Sequence, residues 1–234
     1  MSLVMKTIGL IGGMSWESTE SYYRLINEGI KEQLGGLHSA KLVLVSVDFA
    51  EIEKLQHQGK WEKTGEILTS AAQSLEKAGV DFILICTNTM HLVAPQVQAA
   101  VSVPLLHIAD ATAEEIKNSG ISKIGLLGTA FTMEEDFYKG RLEKQYGLEV
   151  VTPNPADRKI IHQIIYDELC LGKIEDSSRN EYLRIIDTLT AQGAEGVILG
   201  CTEIALLVKP EDTQVKLFDT TKIHALKAVE RALA

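Results

Sequence analysis

Gly193-Ala194-Glu195-Gly196-Val197-Ile198-Leu199-Gly200-Cys201-Thr202-Glu203 is an apolar run of strand length that ends in a thiol and two polar residues. An earlier stretch has the same build: Gly79-Val80-Asp81-Phe82-Ile83-Leu84-Ile85-Cys86-Thr87-Asn88-Thr89. In an open α/β sheet, ligands bind beyond the carboxyl ends of the strands. Cys201 therefore falls where a ligand is expected, not in mid-core. Two strand ends of one pattern, one in each half, point to a single site shared between two similar halves.

The surrounding chain repeats in the same way. Residues 123–127, followed by Gly128-Thr129-Ala130-Phe131-Thr132-Met133, mirror residues 6–14. Ile8 and Ile124 are 116 residues apart, as are Gly12 and Gly128, while Cys86 and Cys201 are 115 apart. Near-constant offsets over separate segments read as a duplication, against chance likeness of apolar strands. Strands are expected at 6–11, 41–47, 81–85 and 103–108 in the first half. In the second they fall at 123–127, 149–151, the run ending at Cys201, and 215–218. Helices are expected to about residue 34 (capped by Ser15 or Ser18 and ended by Gly35-Gly36), at 61–77 before Gly79, and at 91–100. Later helices cover 133–146, 159–171, 178–192 and 221–233. Asp48-Phe49 opens a polar connection through Gln56 and Gln58 to Gly59. Alternating strands and helices imply α/β architecture with parallel sheets covered on both faces. The reading is two pseudo-symmetric doubly wound domains, residues 1–112 with 220–234 and residues 113–219, with the active site in the cleft between them. The final helix is expected to pack back on the first domain.

Composition narrows the function. The 234 residues suffice for a sizeable core, and 45% hydrophobic with 24% charged residues is ordinary for a soluble globular protein. The net charge of −9, without a basic block, argues against nucleic acid. An anionic substrate would have to be held by local groups. No apolar run has membrane-spanning length, and the N-terminus lacks the build of a signal peptide. Met5 reads as a natural start, with residues 1–4 added before it. The three cysteines, Cys86, Cys170 and Cys201, form neither metal-ligand spacing nor a disulfide framework, which suits a cytoplasmic protein with reduced thiols and no metal.

Gly9-Leu10-Ile11-Gly12-Gly13-Met14 does not match the dinucleotide-binding Gly-x-Gly-x-x-Gly spacing. A tight turn with exposed amides at Gly13-Met14, suited to a carboxylate, is expected instead. Asn88, Thr89, Thr129 and Thr202 supply neutral hydrogen bonds of the kind that orient a carboxylate. Glu203 either holds a substrate ammonium group or tunes Cys201, against a plain helix-start carboxylate. Gln56 and the weaker candidate Arg158 could meet a substrate side chain. Cys170 reads as filler, and His91 and His224 as structural histidines with contact to the site as the alternative. A thiol titrates near roughly 8.5 and is lowered by nearby amides or helix N-termini, as a catalytic base requires.

Taken together, Gly12-Gly13-Met14, Asn88-Thr89 and Gly200-Cys201-Thr202-Glu203 give a chain that resembles the aspartate/glutamate racemase family of cofactor-independent amino-acid racemases. The resemblance spans essentially the whole chain. It implies proton removal by one group and return by another on the opposite face, no cofactor, and a homodimer. The first catalytic cysteine of such racemases immediately precedes the Asn-Thr pair. Here Thr87 holds that place and Cys86 stands one residue earlier, on the opposite face if strand geometry persists. The catalytic roles are accordingly carried to Thr87 and Cys201. Cys201, in the second half, is the group that the resemblance aims at the L-enantiomer. Cys86-Thr87-Asn88-Thr89-Met90-His91 resembles the subgroup with broad-specificity relatives. Aspartate and glutamate are the expected substrates, with other polar amino acids beside them. The alternatives are a single-thiol decarboxylase of activated malonates and a catalytically silent amino-acid-binding protein.

Overall fold

In the computed structural model, which describes residues 4–234, Ile8–Gly12 (β1) is buried along its whole length. This is the signature of a parallel strand covered on both faces. Of residues 1–4, read as added before a natural start at Met5, residues 1–3 lie outside the described residues. Leu42–Ser46 (β2) and Phe82–Ile85 (β3) flank β1 in the order β2-β1-β3, all parallel. Between them run Trp16–Leu34 (α1), Phe49–His57 (α2) and Trp61–Lys77 (α3). Ser15 caps α1 by accepting from the Ser18 amide, and Gly35 and Gly36 end it with left-handed φ values of 73° and 59°. After β3 come a 3-10 turn, Thr89–Val93, and the short helix Ala94–Ala99 (α4).

Two expectations fail in this region. The polar connection after Asp48 is the helix α2, because the Asp48 carboxylate accepts from the Ala50 amide and caps it. Residues 103–108 make no full strand. Leu105 forms a single parallel bridge to Ile83, through Ile83 N–H to Pro104 O and Leu106 N–H to Ile83 O. The next pair back would need an N–H at Pro104, which proline lacks. At the other end, Ile108 already opens a helix that the sequence reading omits, Ile108–Asn118 (α5).

The second sheet follows the first strand for strand. Lys123–Gly128 (β4), Glu149–Val151 (β5), Gly196–Gly200 (β6) and Lys216–Asp219 (β7) are parallel in the order β5-β4-β6-β7. Here β5-β4-β6 repeats β2-β1-β3, and β7 takes the place of the Leu105 bridge. The single helix expected at 133–146 is two, Ala130–Glu134 (α6) and Lys139–Tyr146 (α7), broken where Glu135 is extended and Tyr138 turns into the core. Pro155–Asp167 (α8) starts earlier than expected, at an Asn154 cap with proline in its first turn, and is followed by a 3-10 turn, Leu169–Leu171. Asp176–Ala191 (α9), Ile204–Leu207 (α10) and Thr220–Leu233 (α11) complete the chain.

The chain divides into two compact units, one running to Ile108 and including His224–Ala234, the other Ala109–Ile223. In the first, Ile11, Ile83 and Ile85 pack on α3 through Leu68, Ala72 and Leu75. On the opposite face Ile8, Leu10, Phe82, Leu84 and Cys86 meet Tyr22, Ile26 and Ile30 of α1 and Ala225, Ala228 and Val229 of α11. The final helix thus packs into the first unit's core. Gly29 lets α1 and α11 approach closely: a Cβ there would lie 2.9 Å from Val229 Cγ2. In the second unit Leu127, Val197 and Leu199 pack on Ile161, Tyr182, Ile185 and Leu189 from α8 and α9. Among the described residues no helix is long and apolar enough to cross a membrane.

Candidate active site

Parallel pairing settles which residues of the two halves are equivalent. On the first sheet Gly9, Leu10 and Ile11 stand beside Ile83, Leu84 and Ile85. On the second, Gly125, Leu126, Leu127 and Gly128 stand beside Val197, Ile198, Leu199 and Gly200. With Gly9 and Gly125 as counterparts, Ile85 corresponds to Leu199, Cys86 to Gly200 and Thr87 to Cys201. The matching of Cys86 with Cys201 by sequence offset is therefore corrected by one residue. Offset matching aligns like side chains, whereas the backbone ladder aligns positions.

The side chains agree with this register. Cys86 is fully buried in the core that holds Leu84 and Tyr22, and burial pushes its thiol far up from the ordinary range. Its carbonyl accepts from the Ser18 hydroxyl at 3.0 Å, and its N–H donates to Ile11 O. Thr87 is partly buried. At the matching place in the second unit, Gly200 leaves no room for a side chain, since a Cβ would lie 2.6 Å from Leu127 O. Cys201, the next residue, is partly exposed.

The thiol of Cys201 donates to Glu203 Oε2 at 2.9 Å. Burial, and then the negative charge of Glu203, hold this thiol well above its usual range. The expected lowering by an amide is present, from the Glu203 N–H, but burial and the Glu203 carboxylate outweigh it, so the net shift is upward. Below this loop, Thr221 Oγ1 donates to Thr202 Oγ1 at 2.8 Å and Thr220 Oγ1 to Leu199 O at 2.9 Å. Asp219 caps α11 by accepting from the amides of Thr221 and Lys222, and burial raises its carboxyl. Thr220 and Thr221, which hydrogen-bond the strand end and the loop, were missed. Asp219-Thr220-Thr221 ahead of an apolar periodic run was their legible signal, as a helix start.

In the first unit the turn after β1 is shaped by Gly13, whose φ is 91° and whose Cβ would meet Val47 O at 2.2 Å. The Gly13 amide, expected to be open to a carboxylate, donates instead to Thr19 Oγ1 at 2.7 Å. The Met14 side chain lies in the core with Ile52 and Leu68. Gln56 is buried on α2, and its Nε2 donates to Met90 Sδ at 3.0 Å, which brings it to the turn that carries Asn88 and Thr89. Both of those are buried as well. His91 Nδ1 lies 2.8 Å from Thr87 O.

Elsewhere in the second unit, Thr129 caps α6, accepting from the Thr132 amide. Arg158 is engaged by Glu134 at 2.9 Å and by Pro153 O. Cys170 packs at the edge of the core, on the 3-10 turn. Strand ends thus bring Thr202 and Glu203 to Cys201, and Asn88, Thr89 and Gln56 to the Thr87 turn.

Known proteins resemble this chain along most of its length. The family model for Asp/Glu/Hydantoin racemase matches residues 11–228. The broad specificity amino-acid racemase RacX of Bacillus subtilis (strain 168) is 24% identical, over 97% of this chain and 98% of its own. The crystal structure of a candidate Asp/Glu racemase from Yersinia pestis is 58% identical, with a TM-score of 0.92, over 98% of this chain and 100% of that one. An aspartate racemase homologue from Pyrococcus horikoshii OT3 is 41% identical, with a TM-score of 0.84, over 97% and 99%.

Proposed function

Because the chain belongs to the Asp/Glu/hydantoin racemase family and is an isomerase of that group, we propose that it racemises aspartate and glutamate, and other polar amino acids beside them. Thr87 and Cys201 are the two groups that act on opposite faces of the α-carbon. The register that makes Thr87 the counterpart of Cys201 carries this reading. The relatives named for aspartate and for broad specificity support the substrate class.

The chemistry follows from the Cys201–Glu203 pair. In the resting site the thiol is protonated and donates to Glu203. Transfer of that proton to Glu203 frees a thiolate, which removes the α-proton of the L-enantiomer. The electron pair of the broken C–H bond moves into the substrate carboxylate. Asn88, Thr89, Thr129 and Thr202 offer donors for the charge that develops there. The Thr87 hydroxyl passes a proton from water to the other face, and Glu203 returns its proton to water, so that the protons balance. Met14 contributes backbone, and Gln56 meets the substrate side chain. This route draws on no cofactor. The enantiomers have equal free energy, so kcat/KM must be the same in both directions. A weak acid at Thr87 therefore shows as compensating changes in kcat and KM. A cytoplasmic homodimer completes the proposal.

Proton NMR of L-aspartate and L-glutamate in deuterium oxide tests it, with chiral analysis of the same samples. Wild type should lose the α-proton signal and form D product, and Cys201→Ala should do neither. Exchange in both proteins would show that Cys201 is not the base.

A further inference from the structure

We propose that His91 is a positioning residue for the reaction: its imidazole, in a single tautomer, holds the Thr87–Asn88 peptide so that the Thr87 hydroxyl and the Asn88 amide meet the substrate. This rests on the reading of Thr87 as the second proton-transfer group.

The hydrogen bonds define the tautomer. The Ile108 N–H donates to His91 Nε2 at 3.2 Å, so Nε2 carries no hydrogen. Nδ1 then carries it and donates to Thr87 O at 2.8 Å. His224 is fixed by the same logic. A carbonyl can only accept, so Nε2 donates to Leu106 O at 2.8 Å, and Nδ1 accepts from the Tyr22 hydroxyl at 2.8 Å. The His91 ring is nearly fully buried and packs edge-on against His107, at 4.5 Å between centroids, and His224, at 5.9 Å. One ring thus meets a donor at one nitrogen and an acceptor at the other, between two further rings.

The consequence for the site lies in the peptide plane. In a trans peptide the C=O and the following N–H point in opposite directions. The Thr87 carbonyl is aimed at His91, so the Asn88 N–H is aimed away from it. The same constraint restricts the Thr87 backbone and with it the direction of its hydroxyl. β3 ends at Ile85, so this peptide lies beyond the strand. His91 supplies the restraint that the sheet no longer gives.

The test compares His91→Phe, His91→Asn and Thr87→Val with wild type in deuterium oxide, following two rates with L-aspartate. One is deuterium entry into the L-enantiomer, which uses the Cys201 side of the site and not the Thr87 hydroxyl. The other is formation of D product, which needs Thr87 as well. His91→Phe fills the volume without the hydrogen bonds and should raise the ratio of exchange to inversion, on the order of 100-fold for a misplaced group. His91→Asn keeps a donor near the Nδ1 place and should restore most of the wild-type ratio. An equal loss of both rates in His91→Phe, or no loss, overturns the proposal while Thr87→Val is still defective in inversion. If Thr87→Val inverts like wild type, the Thr87 reading itself fails and takes this one with it. Nitrogen-15 NMR of the wild-type histidines is independent of variant folding. A proton on Nδ1 of His91 supports the proposal, and a proton on Nε2 instead overturns it.

Discussion

The end of β3 and the end of β6 carry the same three positions with different contents. Ile85-Cys86-Thr87 occupies one and Leu199-Gly200-Cys201 the other. Both contain a thiol, yet the two thiols stand on opposite faces of their strands. Cys86 fills a core, where burial keeps it protonated. Cys201 lies one step further on, beside a carboxylate that accepts a hydrogen bond from it. The difference teaches that a cysteine's chemistry is set by strand parity and neighbours before it is set by residue type.

The comparison breaks most decisively at the thiols. Cys201→Ala should lower racemisation about 100- to 10,000-fold, the range for loss of one acid–base group. Cys86→Ala should leave turnover within a few-fold and cost about 1 kcal/mol of stability, by loss of one buried heavy atom. Chiral assay and urea unfolding of the two variants check this, and inactivity of Cys86→Ala with full stability would reverse the assignment. Thr87→Cys should make the two ends alike. Its kcat values for the L and D substrates should converge, and unchanged kinetics in both directions would argue against Thr87.

Gly200→Ala places a Cβ against Leu127 O and should cost about 1–3 kcal/mol, as overpacking does, read from the denaturant midpoint. Cys86, at the equivalent position, is tolerated because its side chain has a core to enter. The smallest effect concerns Glu203. Burial raises the Cys201 thiol first and the Glu203 charge raises it further, so Glu203→Gln removes a group that favours S–H. The thiol pKa should fall, and alkylation of Cys201 by iodoacetamide should reach its half-maximal rate at lower pH than in wild type. An unmoved or raised midpoint would show that Glu203 does not control the thiol.

Much of this was legible along the chain. The strands around Ile8, Ile83, Ile124 and Val197 were readable because apolar runs between glycines are local signals. The placing of Cys86 in the core followed from the Asn-Thr motif resemblance combined with strand alternation. The helix after Asp48 was missed because its Asp cap was read as part of a polar loop. The strand around Pro104 was overread because composition does not report a missing N–H. At the site, the strand-end position marked Cys201 and the motif marked Glu203. The direction of the thiol's shift did not follow from either.

Residue order by itself determined the two α/β halves, their repeated strand ends and the residues that crowd there, since each depends on neighbours a few positions apart. Only the tertiary structure decided the strand register in which Thr87, already singled out by its motif, is the positional counterpart of Cys201, that Glu203 accepts from the thiol, and that His91 grips the Thr87 carbonyl. The first depends on which strand lies beside which and in what register; the other two depend on how the chain turns beyond each strand end. Parallel pairing brings together residues more than 70 positions apart, such as Gly9 and Ile83, and no local pattern encodes the step between them.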